Sequence, residues 1–310
     1  MQVKNIKSEV VDYSPVLNKY KNLVLKYQGI DITEFKFRDE KLSFEIWDSY
    51  VAFANSIRRI LLDELKVKCL TFKNEDIETN DKYIVKELLR KCVNMIPINQ
   101  EKFEVKNLKL YKTNNTPKII DVKSDDIGIT ENITISRLRP GCSLKINKFY
   151  IEEGYQYKDA CKFTLCENVK YKILDVIPFN EDTGEGVRSV MSEPKKFYIE
   201  FTVCKASCKY VMNEMKKTIL ERLDKYLIVV KENEISKDNE FIFDDYITLT
   251  NVICQKIYQL DNNILLVTCP LYNYDENKSV LKIIHNNPKE IIIKAIEEIK
   301  KEYIKFFESF

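Results

Sequence analysis

The run VAFANSIRRILLDEL, at residues 51–65, decides the fold of this chain. Its apolar residues recur every three or four positions, which is the spacing of one face of an α-helix. That face comprises Val51, Ala54, Ile57, Leu61 and Leu65. Just upstream, Asp48 or Ser49 can accept the unsatisfied N–H groups of the first turn. The pattern therefore predicts an amphipathic helix with one buried face.

Two adjacent arginines, Arg58 and Arg59, interrupt this otherwise apolar helix. One interpretation is a solvated edge on which Arg59 pairs with Asp63 one turn later, a contact worth about 0.3 kcal/mol. The other is a protein interface, because a guanidinium forms bidentate bonds and stays charged when it is partly buried. Spacing alone leaves both interpretations open.

This helix and its flanks resemble the assembly helix of the alpha-type subunits of RNA polymerase. These are the bacterial alpha amino-terminal domain, the archaeal D subunit and the third-largest eukaryotic subunit. Residues 32–46 are similar to the two short antiparallel strands that precede the helix in that family. Residues 83–98 resemble its next helix and end in NMIPI, where the family has Gly-Leu-Ile-Pro-Leu. Asn94 replaces the glycine, and asparagine can also form a left-handed helix C-cap.

The segment at 98–195 has a different pattern, in which β-branched and aromatic residues alternate with polar ones. NITIS at 132–136 and SLKIN at 143–147 are examples, and this alternation predicts strands. Pro140 and Gly141 predict a turn between the two strands. By resemblance, this segment is the mostly β insert domain of alpha-type subunits.

The assembly domain is expected to resume with the strand KFYIEFTV at 196–203, which a helix follows. A polar linker then leads to DYITLTN at 245–251, similar to the Asp-x-His-Thr-Leu-Gly-Asn signature of the archaeal L subunit and its eukaryotic counterpart. Ile247 stands for the histidine and Thr250 for the glycine, so the start of this helix is expected to differ. Pro288 predicts the beginning of the last helix, since the first helical position tolerates a missing N–H.

The resemblance implies an α+β fold in which an alpha-type assembly domain, interrupted by the insert, is followed by a smaller L-like dimerisation domain. The two would form an intramolecular pseudo-dimer. The expected divisions are an N-terminal arm (helix or extended) at 1–28, a D-type assembly domain at 29–97 and 196–230, a β-rich insert domain at 98–195, a linker at 231–243 and an L-type domain at 244–310. The expected pseudo-dimer interface comprises Met212, Met215, Ile219, Leu223, Ile292, Ile296, Ile299 and Tyr303.

Composition narrows the possible functions. The chain has 310 residues, with 50 lysines and arginines against 48 aspartates and glutamates, and this balance does not favour a dedicated nucleic-acid binder. We expect neither a signal peptide nor a membrane span, since no apolar run approaches the ~18 residues that a span needs. Nine scattered cysteines then indicate reduced thiols inside the cell. With one histidine and no Cys-x-x-Cys pair, we expect no metal and no cofactor.

Catalytic patterns are missing from the sequence as well. The six glycines form no phosphate-binding loop, and the aspartates do not cluster as a two-metal site requires. His285, between a strand and a turn, is interpreted as a surface or capping residue. The 18 tyrosines and 16 phenylalanines could form a stacking platform for single-stranded nucleic acid, although aromatic residues more commonly fill cores and interfaces.

The expected function is a non-catalytic assembly subunit of a multisubunit DNA-directed RNA polymerase. Its partners would be the largest and second-largest subunits and other small subunits, with DNA and RNA reached only through the complex and no membrane. By resemblance, Arg59 matches the arginine that meets the second-largest subunit, and Asn55 helps to fix the helix start. Arg58 is the other expected contact. A D-plus-L fusion resembles polymerases of some large DNA viruses, which implies the cytoplasm, a viral factory or the virion. The alternative is a stand-alone nucleic-acid-binding or scaffold protein of the same fold.

Overall fold

The structure, a computed structural model, describes residues 1–12, 38–105, 108–129, 132–155, 165–175, 194–232, 240–261, 264–269 and 278–310. The chain forms two compact units. Unit 1 comprises residues 1–62, 168–202 and 208–310, and unit 2 comprises residues 63–167 and 203–207.

Fourteen strands and five α-helices lie within the described residues. The strands are β1 (Gln2–Asp12), β2 (Arg38–Trp47), β3 (Lys66–Thr71), β4 (Ile77–Thr79), β5 (Leu110–Thr113), β6 (Ile120–Lys123), β7 (Thr134–Leu138), β8 (Ser143–Ile146), β9 (Tyr150–Tyr155), β10 (Cys166–Ile173), β11 (Lys196–Val203), β12 (Glu240–Phe243), β13 (Leu266–Thr268) and β14 (Ser279–Ile284). The helices are α1 (Val51–Arg59), α2 (Lys86–Asn94), α3 (Cys208–Glu232), α4 (Ile247–Leu260) and α5 (Pro288–Phe307). A π-helical turn, Ile60–Glu64, continues α1.

A four-stranded sheet in the order β1-β2-β11-β10 belongs to unit 1. Strands β1 and β2 are antiparallel, from the pair Gln2 and Trp47 to the pair Asp12 and Arg38. Alternate residues of β2 are buried, as a sheet with one covered face requires, and β11 is buried over most of its length. The buried residues include Leu42, Phe44, Ile46, Phe197, Ile199 and Phe201. The first part of the predicted N-terminal arm, Gln2–Asp12, is therefore extended and forms strand β1. Residues 13–28 of the arm lie outside the described ones.

Helices α3 and α5 pack against each other in unit 1, and α4 packs against both α1 and α5. The residues expected at the pseudo-dimer interface form an apolar stripe on each of α3 and α5, and they are buried, including Met215, Leu223, Ile292 and Ile299. Packing of this kind supplies most of the stability of protein helices, since short helices are marginal alone in water. Unit 1 thus joins helices from the N-terminal and C-terminal parts of the chain in one body.

The predicted linker at 231–243 differs from the structure at its end. Glu240–Phe243 form strand β12, which pairs with β14 in an antiparallel three-stranded sheet completed by β13. The physical reason is burial, because the side chains of Phe241 and Phe243 alternate into the core. At the other end, α3 continues to Glu232, and residues 233–239 lie outside the described ones.

Unit 2 contains α2 and three small antiparallel sheets: β3-β9, β4-β8-β5 and β6-β7. One hydrophobic core includes Leu70 and Leu89 from before residue 98, and Leu110 and Ile135 from after it. The compact unit therefore begins at Asp63 rather than at the insert boundary expected at 98. The predicted Pro140-Gly141 turn is present, but β7 pairs with β6 while β8 pairs with β4 and β5.

Two predicted helix ends are wrong. Tyr50, and neither Asp48 nor Ser49, precedes the first residue of α1, and no side chain caps the helix from that position. The backbone of Asp48 has a positive φ of 55°, so the chain turns before the helix begins. Asn94 is the last residue of α2, and Met95 follows in the right-handed region, so the left-handed cap does not form. Among the described helices, none has the length and apolar character needed to cross a bilayer.

Candidate protein interface

Helix α1 is held on α5 by one aromatic pair and one hydroxyl pair. The rings of Phe53 and Tyr303 stack with centroids 4.5 Å apart. The Ser56 hydroxyl donates to the carbonyl of Phe53 at 2.6 Å and lies 2.5 Å from the Tyr303 hydroxyl. Since Ser56 has a single proton to give, the phenol of Tyr303 is the donor in the second bond. These contacts fix the orientation of α1 about its own axis, and they thereby determine which of its residues face away from α5.

The first turn of α1 is completed by α4. The side-chain oxygen Oε1 of Gln255 accepts the N–H of Ala52 at 2.9 Å. An N–H in the first helical turn has no partner within its own helix. The sequence predicted a capping side chain just upstream of α1. The residue that fills this role is instead Gln255, about two hundred positions later, and its hydrogen bond joins α1 to α4.

The two arginines of α1 have different surroundings. The Nε of Arg58 donates to Oδ1 of Asn55 at 2.8 Å. Burial raises the pKa of Tyr171, and the positive charge of Arg58 partly opposes that rise. Arg59 instead lines a groove between α1 and α4, together with Asn55. The structure therefore brings Asn55 and Arg59 together at the groove, while Arg58 extends from Asn55 toward the side of Tyr171.

The α1/α4 groove has a volume of about 370 Å³. Its polar lining comes from both helices and includes Asn55, Arg59, Asn251, Gln255 and Tyr258. Tyr258 is oriented by its hydroxyl, which donates to the carbonyl of Val267 at 2.8 Å. A cation beside several amides can bind carboxylates and backbone carbonyls, which are the groups that a protein partner presents.

A charged network joins α4, α5 and the residue that precedes α1. Lys256 Nζ is 2.8 Å from Glu302 and 3.2 Å from Glu298, and the Tyr50 hydroxyl donates to Glu302 at 3.1 Å. Burial alone would lower the pKa of Lys256, but the two carboxylates outweigh it and the pKa is raised. Burial and the charge of Glu302 raise the pKa of Tyr50 well above its ordinary value. The network ties α4 and α5 to the residue that precedes α1.

A second buried cluster joins α3 to the start of α4. Arg222 Nε lies 3.3 Å from Oδ2 of Asp245, and the Tyr226 hydroxyl donates to the same oxygen at 3.1 Å. Burial raises the pKa of Asp245, although Arg222 acts in the opposite direction. Asp245 is the first residue of the L-like signature. Thr250, which replaces the glycine of that signature, is buried, and its hydroxyl lies 2.7 Å from that of Ser279.

The remaining predicted site residues are all buried in unit 1. They are Met212, Met215, Ile219, Leu223, Ile292, Ile296, Ile299 and Tyr303. His285 accepts the N–H of Asn287, the residue before α5, and its Nε2 lies 3.1 Å from Asp261. Within the described part of the chain, no three His, Cys, Asp or Glu side chains gather as a metal site would require.

Sequence reasoning missed Ser56, Gln255 and Lys256. Ser56 is a hydroxyl on the buried face of α1, and Lys256 lies next to the buried Ile257 on α4. A polar group among core positions indicates a buried partner, because burial without one costs free energy. That signal was present in the sequence, but it did not identify the partner.

Comparison with proteins of known identity finds a partial likeness to an archaeal protein. The chain is 28% identical over 138 residues to DNA-directed RNA polymerase subunit Rpo3 of Pyrococcus furiosus. The match covers 39% of this chain and 51% of the archaeal subunit, so the chain spans about half the length of that relative. No protein-family model matches the chain.

Proposed function

We propose that this chain is a non-catalytic assembly subunit of a multisubunit DNA-directed RNA polymerase. The distant likeness to Rpo3 supports a scaffold role in such an enzyme. In this proposal the chain binds the largest and second-largest subunits and other small subunits, and it meets DNA and RNA only through the complex. We place it inside the cell, in the cytoplasm, and in a viral factory or virion if its source is a large DNA virus.

The observation that carries the proposal is the junction of α1 with α4 and α5. Ser56 and Gln255 connect the arginine helix to two helices from the last quarter of the chain. A D-type half and an L-type half on one chain would meet in this way, as an intramolecular pseudo-dimer. The buried stripes of α3 and α5, which pack together, agree with that arrangement.

In this proposal Arg59 and Asn55 bind a large subunit at the α1/α4 groove. Neither residue is fully buried, so both are accessible to a partner. Arg58 orients Asn55 by its 2.8 Å bond and is a weaker contact. Losing a buried charged contact at an interface costs roughly 2–5 kcal/mol, whereas losing an exposed ion pair costs under about 1 kcal/mol.

The alternative is a stand-alone nucleic-acid-binding or scaffold protein of this fold. A charged groove with amides could also contact phosphates. The near-neutral balance of 50 basic and 48 acidic residues gives this alternative little electrostatic support. The two functions differ in what accompanies the protein when it is purified from its native cells: large polymerase subunits or RNA.

The test is affinity purification of tagged chains from native cells. The native chain and Lys217→Ala, an exposed change on α3, are expected to recover both large polymerase subunits equally. Arg59→Ala is expected to recover at least about tenfold less of the second-largest subunit, while its thermal unfolding is unchanged. Equal recovery with Arg59→Ala would remove this residue from the interface. Recovery of RNA without large subunits would instead favour the alternative.

A further inference from the structure

A second groove, of about 460 Å³, lies in unit 2. One side is formed by the segment before α2, which includes Asp81, Tyr83 and Ile84, and the other by β7 with Arg137 and the residue that follows the strand, Arg139. Helix α2 and β7 pack against each other, so both sides rest on the core of unit 2. We call this the Tyr83 groove. It is distinct from the α1/α4 groove in both its residues and its unit.

A buried carboxylate fixes the two sides of the Tyr83 groove. Asp81 is only 4% exposed. Its Oδ1 accepts the N–H of Tyr83 at 3.1 Å, and its Oδ2 accepts the N–H of Arg139 at 3.3 Å. One side chain thus holds two backbone segments from opposite sides. A site fixed before binding loses less conformational entropy when a ligand arrives.

Tyr83 and Arg139 form an exposed stack across the groove. The guanidinium carbon of Arg139 lies 3.2 Å from the centroid of the Tyr83 ring, and Tyr83 is 71% exposed. Arginine and tyrosine are, with tryptophan, the residue types enriched among the residues that contribute most at the centres of protein interfaces. The stack positions a flat cation whose remaining N–H groups can bind a carboxylate.

The groove has positive charge available for an anion. No carboxylate among the described residues pairs with the Arg139 guanidinium. Arg137 is 3.4 Å from Asp121, but both side chains are largely exposed, and such a pair is worth under about 1 kcal/mol. Asp81 is buried and already accepts two backbone bonds. An incoming carboxylate would therefore meet two arginines with little competition.

The groove also has an apolar part. Ile119 is 61% exposed at its edge, Ile84 is half-buried, and Ile135 forms buried lining. From the groove the chain continues into α2 through Val85 and Leu88, which are both more than half exposed. Exposed apolar side chains beside fixed polar groups are typical of a surface that a partner covers.

We propose that the Tyr83 groove binds an acidic protein segment in which aspartates or glutamates flank one large apolar side chain. The apolar side chain would lie between Tyr83 and Ile119, and the flanking carboxylates would bind Arg137 and Arg139. A single nucleic-acid strand fits less well, because it needs a track of cations and several stacking faces, whereas this groove offers one exposed aromatic ring and isoleucines. The proposal stands on unit 2 alone and does not depend on the polymerase role.

The test uses the full chain as bait for a displayed library of random peptides. Peptides are retained if they bind the native chain and are lost on the double variant Arg137→Gln, Arg139→Gln. The expected sequences carry two or more acidic residues around an aromatic or large aliphatic residue. The best of them, as a free fluorescent peptide, is expected to bind Tyr83→Ala at least about tenfold more weakly than the native chain.

Two control variants and one control peptide test whether the loss of binding is specific to the Tyr83 groove and to charge. Tyr111→Ala removes another exposed tyrosine of unit 2, and Lys145→Gln removes another exposed cation, and both are expected to bind the peptide as the native chain does. A peptide with its acidic residues changed to amides is expected to lose binding at least about tenfold on the native chain, which tests the charge requirement without altering the protein.

Three results would overturn the proposal. The first is a selection that enriches no acidic-apolar sequences. The second is a selected peptide that, measured as a free peptide, binds the double variant as tightly as the native chain, or whose amide form binds the native chain as tightly as the acidic form does. The third is tighter binding of single-stranded oligo(dT) or oligo(U), lost on Tyr83→Ala, which would reassign the groove to nucleic acid.

Discussion

The hydroxyl of Ser56 lies 2.5 Å from the hydroxyl of Tyr303, although 247 positions separate the two residues in the sequence. Both residues are buried, so water does not compete for the bond. The bond joins α1, which carries the two arginines, to the last helix of the chain. The geometry of the proposed polymerase-binding surface therefore depends on the C-terminal helix.

Changing Tyr303 should show how strongly the two helices are joined. Tyr303→Phe keeps the ring that stacks on Phe53 and removes one hydroxyl, so it should cost about 1 kcal/mol. Tyr303→Ala also removes the buried ring and should cost about 3–5 kcal/mol. Urea unfolding measures both values, with Tyr111→Phe on the surface as the neutral control. Equal losses for the two Tyr303 variants would mean that the ring does not stabilise the junction.

Lys256 should be essential to the charged network that it forms with Glu298 and Glu302. Lys256→Met leaves Glu298 and Glu302 near each other without their cation, so we expect a loss of about 2 kcal/mol at pH 7. In 1 M salt the loss should be smaller, because mobile ions screen the repulsion between the two carboxylates. Lys294→Met on α5 is the control. A loss that is the same at low and at high salt would assign the effect to packing instead of charge.

The pKa of Lys256 also predicts how the stability of the folded chain changes at high pH. It is raised above the ordinary lysine value of 10.5, so the folded chain holds this proton more tightly than the unfolded chain does. The stabilisation is therefore fully present below pH 10.5 and is lost as the pH rises through the raised value. Methionine has no proton to lose in this pH range. The free energy of unfolding of Lys256→Met should therefore lack this part of the decrease at alkaline pH.

The apolar face of α1 could be predicted because helical periodicity is a local property. Ala54, Ile57 and Leu61 are buried as the spacing indicates. The cap could not be predicted, because the N–H of Ala52 is satisfied by Gln255 from another helix. Asp48 and Ser49 have suitable side chains, but the positive φ of Asp48 turns the chain before the helix.

Unit boundaries were harder to predict than strands and helices. Lys196–Val203 and Ser143–Ile146 form strands within the predicted residues, since β-branched and aromatic alternation is visible locally. The start of unit 2 depends on which residues share a core, and Leu89 shares one with Leu110 across the expected boundary. Contacts between residues that are far apart in the sequence are a tertiary property, which a single sequence does not reveal.

Glu200 should make the chain sensitive to acid. It accepts bonds from Lys170 at 2.8 Å and the Tyr198 hydroxyl at 2.6 Å, and it pairs with Lys41 at 2.9 Å. These partners lower its pKa from 4.5 to about 2. The folded chain then holds this proton less tightly than the unfolded chain, so the stabilisation is full above pH 4.5 and is lost as the pH falls toward 2.

Glu200→Gln should therefore lower the free energy of unfolding by about 1 kcal/mol at pH 7, because the lysines are partly exposed and water screens the pairs. The difference from the native chain should disappear near pH 2. Glu297→Gln, an exposed change on α5, should show no such trend. Urea unfolding at several pH values measures this, and a difference that is constant from pH 7 to pH 2 would contradict the ionic origin.

A cut between Glu232 and Glu240 should leave the two pieces together. The buried faces of α3 and α5, and the contacts of α1 with α4 and α5, would hold the pieces as they hold the intact chain. A protease site is inserted there, and the cut protein is compared with the uncut insertion variant by gel filtration. Separation of the pieces under native conditions would contradict the intramolecular pseudo-dimer.

The purified chain should bind no stoichiometric zinc and should not join nucleotides by itself. Its sequence has one histidine, cysteines without Cys-x-x-Cys spacing and no clustered aspartates, so it shows neither the ligand spacing of a structural zinc site nor that of a two-magnesium site. Elemental analysis checks the metal, and incubation with template, nucleotides and magnesium checks catalysis. The native polymerase, assayed in parallel, confirms that the template is active. Template-dependent RNA synthesis by the chain alone would overturn the assembly-subunit proposal, because every catalytic group would then have to come from this chain.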